Sequence, residues 1–370
     1  MNKILLPVLF SLCVCSFARA GEWSFEASGD IRGAYGYSDV SERFEKYDDN
    51  NNAFADAEIN LNAFYEADED YALSLNLDVM AGVDEELQDY NQGRWGEEAY
   101  AVAETPWGSL QGGQMYNIDY QFYEGAPRVG ILRNNSDMVN FIANPNWKRT
   151  AKETKFATLN TVYINTDGVA PKVSYVTPEL WGTKAGFSYV PDAYNRRGLI
   201  NKHADYAKDD GWIGAVYTEQ DLGWLDLSAS AGYAQFHEDD KELSAGLRLR
   251  RGNWSLGGGW RKTYVDGRDK SLDADVRLPE FFDEYREGQA WEAGLGYEIG
   301  PFQSALTYFE SKAERTDNKD KIWMFSNQYQ VDRNLLVYAA VAHVDFEGAT
   351  QALDDNNQGW AFIGGLGLTF

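Results

Sequence analysis

The chain has 370 residues, a formal net charge of -25 and 15% aromatic residues. So many aromatics exclude a disordered polypeptide, and the acidity excludes the basic surface that nucleic-acid binding requires, so no nucleic-acid partner is expected. The two cysteines, Cys13 and Cys15, both fall within the first 20 residues, which leaves the remainder without disulfides or thiolate-held metal.

The N-terminus reads as an export signal. Lys3 is a short basic region, the 14 residues of ILLPVLFSLCVCSF are apolar, and ARA stands before Gly21 as a small-x-small cleavage site. The run is short for a helix that crosses a bilayer. Residues 1–20 are therefore expected to be cleaved, with 21–370 forming a single domain without linkers.

From there the chain alternates with period two, the spacing of a strand with two different faces. WSFEASGDIRGAY places Trp23, Phe25, Ala27, Ile31 and Tyr35 on one face and Glu26, Asp30 and Arg32 on the other. YALSLNLDVMA sets Tyr71, Leu73, Leu75, Leu77 and Val79 against Ser74, Asn76 and Asp78. ELSAGLRLR sets Leu243, Ala245, Leu247 and Leu249 against Ser244, Arg248 and Arg250, and NWSLGGGWRKTY sets Trp254, Leu256, Trp260 and Tyr264 against Ser255, Arg261 and Thr263. The last stretch, FIGGLGLTF, alternates to its end, with Leu366, Leu368 and Phe370 on one face.

The connections alternate as well. Short ones fall at 66–70, 105–108, 177–182, 220–223, 250–253, 299–301 and 331–334, and long ones near 38–53, 82–94, 116–171, 191–210, 237–241, 265–288, 314–320 and 347–358. Seven short turns and eight long loops separate 16 strands. The helical period is scarce. SDMVNFI (136–142) in the longest loop forms either one short helix capped by Ser136 or irregular backbone.

Two-faced strands bury the apolar face in a sandwich or propeller, or turn it outward to lipid around a wet lumen. Asp30, Arg32, Asp78, Arg248 and Arg261 share strands with apolar faces, and a lumen holding water accommodates them. In lipid every backbone group must be bonded within the protein, so the sheet must close. Closure also explains a chain that ends within a strand. The fold class expected is all-β, a closed antiparallel transmembrane β-barrel of 16 strands. Trp23, Tyr35, Tyr65, Tyr71, Trp254, Tyr264 and Trp360 near strand ends suit interfacial girdles.

Three stretches resemble the general porin family of Gram-negative outer membranes: GWAFIGGLGLTF at the C-terminus, YQVDRNLLVY (329–338) around a short turn, and AYAVAETPWGSLQGGQMY (99–116) before the longest loop. The family often has Arg after the Gly of the third stretch, where this chain has Gln114, and its loop is usually shorter than 116–171. The resemblance implies a homotrimeric, bacterial outer-membrane channel for passive diffusion of small hydrophilic solutes. It also implies contact with outer-membrane lipid and lipopolysaccharide, and a terminal strand with Leu366, Leu368 and Phe370 read by the barrel-assembly machinery. By the same resemblance the third long extracellular loop folds into the lumen, bringing Asp119, Glu124, Arg128, Arg133 and Asp137 to a constriction opposite Asp30, Arg32, Arg248 and Arg261 on the wall.

The glycines at 112–113 and 257–259 permit a bulge or room for such a loop. The acidic outer stretches 38–53 and 265–288 favour cations at the mouth and offer sites for divalent ions that bridge to lipopolysaccharide, although DDNNN (48–52) and DDNN (354–357) lack the pattern of a calcium loop. KRTAKETK (148–155) is basic and pulls toward anions such as phosphate. The reading is therefore a channel leaning to cations, with a solute- or anion-specific channel as the alternative. No cofactor and no metal site are expected. An outer-membrane hydrolase would need a nucleophile and base, yet His203, His237 and His343 lack any such setting, so no enzyme is expected. A plugged structural or adhesin barrel would require bulky apolar residues inside, whereas the lumen faces above are small and polar.

Overall fold

The computed structural model describes residues 23–40, 51–67, 70–83, 98–134, 137–138, 141–150, 153–156, 158–193, 210–236, 240–265, 287–314, 316, 318–348 and 356–370. The expected leader, Ser136, His203, His237 and most of the acidic stretches 38–53 and 265–288 lie outside the described residues.

The strands are β1 (Trp23–Val40), β2 (Asn51–Glu66), β3 (Ala72–Val83), β4 (Glu98–Thr105), β5 (Gly108–Gln114), β6 (Trp147–Thr150), β7 (Glu153–Phe156), β8 (Pro171–Val176) and β9 (Thr183–Val190). They continue as β10 (Gly211–Asp221), β11 (Asp226–Phe236), β12 (Asp240–Arg251), β13 (Trp254–Val265), β14 (Gly288–Ile299), β15 (Phe302–Ala313), β16 (Lys319–Gln330), β17 (Leu335–Glu347) and β18 (Asn357–Thr369). One short helix, α1 (Ile118–Phe122), follows β5. All strands except β6 and β7 form one closed antiparallel barrel of 16, each paired with its neighbours in chain order, and β1 pairs with β18 to complete the circle. β6 and β7 pair only with each other, inside the long connection from β5 to β8.

The expected alternation sets the two faces. Leu75, Phe187, Leu247, Phe325 and Phe362 lie on the outward face and are exposed. Neighbours in register place aromatic rings side by side near both ends of the wall: Tyr308 on Trp323 at 4.5 Å and His343 on Trp360 at 4.7 Å at one level, Trp254 on Tyr297 at 4.5 Å and Phe302 on Tyr329 at 4.6 Å at the other. An outward apolar band between aromatic rows is the surface a bilayer demands. Among the described residues no helix is long and apolar enough to cross a membrane; the strands make the crossing.

The inward face is not uniformly polar, and here the expectation is corrected. β17 is apolar on both faces, so Tyr338, Ala340, Ala342, Val344 and Phe346 point inward and pack with Leu132, Met138, Phe141, Ile142, Leu159 and Val162 of the connection between β5 and β8. A second cluster joins Ile118 and Phe122 of α1 and Ile164 to Val190, Ile213, Ala215, Ala234 and Phe236 of β9 to β11. Each large side chain buried this way contributes roughly 1.5–3 kcal/mol. The outward residues, facing lipid rather than water, gain little from contact with one another.

Candidate channel site

Described residues of the connection from Met115 to Ala170 hydrogen-bond to side chains of β9, β11, β14, β16 and β18. Asn117 caps α1 by accepting a hydrogen bond from the Tyr120 N–H at 3.0 Å. The Ile118 N–H donates to Ser188 Oγ of β9 at 3.0 Å and the Glu124 N–H to Ser230 Oγ of β11 at 3.1 Å. Glu292 of β14 accepts from the Tyr123 hydroxyl at 2.8 Å and from the Ala126 N–H at 2.9 Å. The Gly130 N–H donates to Gln328 of β16 at 3.0 Å, and Asn357 of β18 donates to the Ala143 carbonyl at 2.8 Å. Asn146 donates to Asp320 of β16 at 2.7 Å. Small residues on the wall make the approach possible: a Cβ at Gly257 would run into the Gly125 carbonyl oxygen, and one at Gly259 into the Tyr123 hydroxyl.

The two ends of this segment are clamped together. Asn117 donates to the Ile164 carbonyl at 3.0 Å and to Asp167 at 2.6 Å. Lys172, fully buried at the start of β8, pairs with the equally buried Asp167 at 2.8 Å and donates to the Met115 and Gly168 carbonyls. A buried charge is tolerated only when paired and hydrogen-bonded in this way.

The residues expected at the constriction take distinct positions. Asp119 is buried, accepting from Ser244 Oγ of β12 at 2.5 Å and from the Ile164 N–H at 2.7 Å. Burial pushes its carboxyl up to about 6, against the pull of those two donors. Glu124 meets Arg248 at 3.3 Å, and the same guanidinium donates to the Gly125 and Ala126 carbonyls at 3.1 and 3.2 Å. Arg261, 2% exposed, donates to Glu242 at 2.7 Å, Thr161 at 2.6 Å and Thr166 at 3.0 Å. Arg248 and Arg261 thus use their donors to hold the segment. Arg133 donates to the Tyr163 hydroxyl at 2.7 Å and to that of Tyr120 at 3.4 Å, while its backbone N–H donates to Asp137 at 2.7 Å. Burial, followed by the Glu292 carboxylate, raises the Tyr123 phenol well above its ordinary value. Arg128 is exposed.

On the wall, Arg32 of β1 is half-buried among carboxylates: Asp30 at 2.7 Å, Asp56 at 3.0 Å and Glu58 at 3.5 Å. Asp56 and Glu58 were readable in AFADAEINLNAF, where Asp, Glu and Asn alternate with apolar residues. Glu292 and Glu242 carry no such local signal, because Tyr123, Ala126 and Thr166, which donate to them, lie far away in the chain; Asp167 and Lys172 are close in sequence, but nothing in the period marks them as a buried pair. His343 stands at the outward aromatic row, and in SDMVNFI the Phe141 and Ile142 N–H groups donate to the Met138 carbonyl at 3.1 and 3.0 Å. Of the basic stretch 148–155, Lys148 and Arg149 lie on β6 and Lys155 on β7.

A closed, lipid-faced barrel of 16 strands with charged side chains on its inner wall defines a channel-forming protein of the outer membrane. The family model for Gram-negative porins matches residues 8–349, and the chain belongs to that family. Solved structures share the fold. The anion-selective porin from Comamonas acidovorans aligns over 94% of this chain and 100% of its own, with 14% identity and a TM-score of 0.61. Salmonella typhi OmpF, in complex with daunomycin, aligns over 94% and 98% with 15% identity and a TM-score of 0.59. A mutant of the Rhodopseudomonas blastica porin aligns over 94% and 100% with 12% identity and a TM-score of 0.57. A search of curated proteins gives no match.

Proposed function

We propose that the protein is a general diffusion porin: a water-filled passage through the outer membrane for small hydrophilic solutes and ions, narrowed by the segment between β5 and β8. The observation that carries this reading is the attachment of that segment to inward side chains of β9, β11, β14, β16 and β18, while the charged groups of β1 and β2 stay partly exposed. In such a pore selectivity follows from the radius and the charges at the narrowest zone. Asp30, Asp56, Glu58 and Asp78 outnumber Arg32 on neighbouring strands and favour cations; exposed Arg128 acts against them. The lean is to cations. Swelling of liposomes in sugars of increasing size tests passage, and reversal potentials in a salt gradient test the sign; anion preference would overturn the lean.

The same proposal includes a homotrimer, recognition of the strand ending in Phe370 by the assembly machinery, and divalent ions bridging acidic outer loops to lipopolysaccharide. It includes no cofactor and no catalytic step. One observation favours a second reading, a barrel closed by its own segment: the two apolar clusters within the wall. Single-channel conductance in planar bilayers separates the two, since a plugged barrel passes almost no current.

A further inference from the structure

The inner wall differs from one side of the barrel to the other. On β12 to β16 the inward Ser244, Glu292, Thr307 and Ser326 are buried. On β2 to β4 the inward Asn60, Asn62, Asn76, Asp78, Glu98 and Tyr100 keep part of their surface exposed. Strand register sets these in two rows: Asn60, Asp78 and Glu98 stand side by side, and Asn62, Asn76 and Tyr100 stand next to them.

A shelf of tyrosines adjoins these rows. The Tyr116 N–H donates to Glu98 at 2.8 Å, which holds the start of the segment against β4. Ile118 and Phe122 of α1 pack on the wall, so Tyr120, two residues from each, is turned toward the barrel interior. The Tyr116 and Tyr120 rings stack with centroids 4.0 Å apart and planes within 12° of parallel. Tyr163 meets Tyr120 edge-on at 5.0 Å, and Arg133 donates to both phenols. Gln121 donates to Gln111 of β5 at 3.0 Å and to the Tyr116 carbonyl at 3.1 Å. The backing ring, Tyr163, is 3% exposed, whereas Tyr116 and Tyr120 both retain exposed surface. Rings that served only to fill a core would be buried as Tyr163 is.

Flat phenol rings beside amides and carboxylates match the two sides of a pyranose. Its C–H groups, slightly positive, lie well on the negative face of an aromatic ring. Its hydroxyls donate to Asp78 and Glu98, and both donate to and accept from the amides of Asn60, Asn62 and Asn76. A simple cation would need the carboxylates alone. An apolar platform with a few placed polar groups is the usual composition of a small-molecule site.

We propose that Tyr116 and Tyr120, with the row of Asn60, Asp78 and Glu98, form a binding site for an uncharged saccharide inside the channel. The inference rests on the pore reading above and adds a solute class to it. The test records ion current through the folded protein in planar bilayers while maltotriose is added, with sorbitol, which has hydroxyls but no ring, as the comparison. Maltotriose is expected to lower the current to a plateau, and sorbitol to lower it only as far as viscosity does. Tyr116→Leu should weaken the apparent affinity roughly tenfold, and Tyr116→Phe, which keeps the ring, should retain it. Asn60→Leu, on the wall and separate from the segment, should weaken it too and carries the test if Tyr116→Leu does not insert; the current without sugar shows which variants have inserted. A maltotriose effect no greater than that of sorbitol, or wild-type affinity in the inserted variants, overturns the inference and leaves the pore reading standing. A wild type that passes no current before sugar is added removes both.

Discussion

Gly29 and Phe370 exchange two backbone hydrogen bonds, each of 2.9 Å, and so extend the β1–β18 ladder by one more pair. The last residue of the chain is thus a rung of the barrel, and its ring lies against the glycine. A Cβ at Gly29 would stand 2.5 Å from the Glu58 carbonyl oxygen and 2.8 Å from the Phe370 ring.

Gly29→Ala should therefore strain both seams of β1. Overpacking of this kind costs about 1–3 kcal/mol. The urea midpoint for unfolding from lipid vesicles, followed by tryptophan emission, should fall, and Gly29→Val should lower it further. An unchanged midpoint would mean that the seam closes without this close approach.

Lys172→Met should leave Asp167 charged and unpaired at the neck of the segment. Removing one partner of a buried pair costs about 3–5 kcal/mol. The barrel ladder is untouched, so the loss should appear as looser attachment: noisier single-channel current and earlier proteolysis within 115–170. Lys172→Met with Asp167→Leu should recover much of the wild-type behaviour.

Asp119 supplies a pH dependence. Its folded carboxyl is raised to about 6 from an ordinary 3.8, so the folded state holds the proton more tightly than the unfolded chain. Folding takes up a proton between those values, and this group therefore stabilises the protein as pH falls from about 7 to about 4. Asp119→Asn, whose amide can accept from the Ile164 N–H and donate to Ser244, should flatten that part of the Tm-versus-pH curve. A slope equal to the wild type would remove Asp119 as its source.

Arg128→Glu should move the reversal potential toward cations without changing stability, since the side chain is exposed. Two unit charges about 4 Å apart interact by about 1 kcal/mol in water, which is roughly a fivefold change in a permeability ratio. No shift would show that permeating ions do not pass near this residue.

The strand rhythm was legible because the pleat turns successive side chains to opposite faces whatever their distant neighbours are. Period two in residues such as Leu73 to Val79 or Leu243 to Leu249 therefore separated the lipid face from the lumen face. The even number of strands followed from counting turns, and the pairing of the terminal strand with the first from the need of the sheet to close. The same locality let β17 mislead: with apolar residues at successive positions from Leu335 to Val341, it gave no sign that one of its faces was reserved for Phe141 and Ile142.

What the sequence by itself determined is the outside of this protein: a closed wall, greasy toward lipid, with known positions turned inward. What only the tertiary structure decided is which inward charges remain available to a solute. Arg248 and Gly125 are 123 positions apart, and Arg261 and Thr161 are 100 apart. Their contact depends on the path of the segment between β5 and β8, and that path is set by clusters and clamps spread across many strands. No local period encodes it, because a hydrogen bond between distant residues leaves no spacing in the chain.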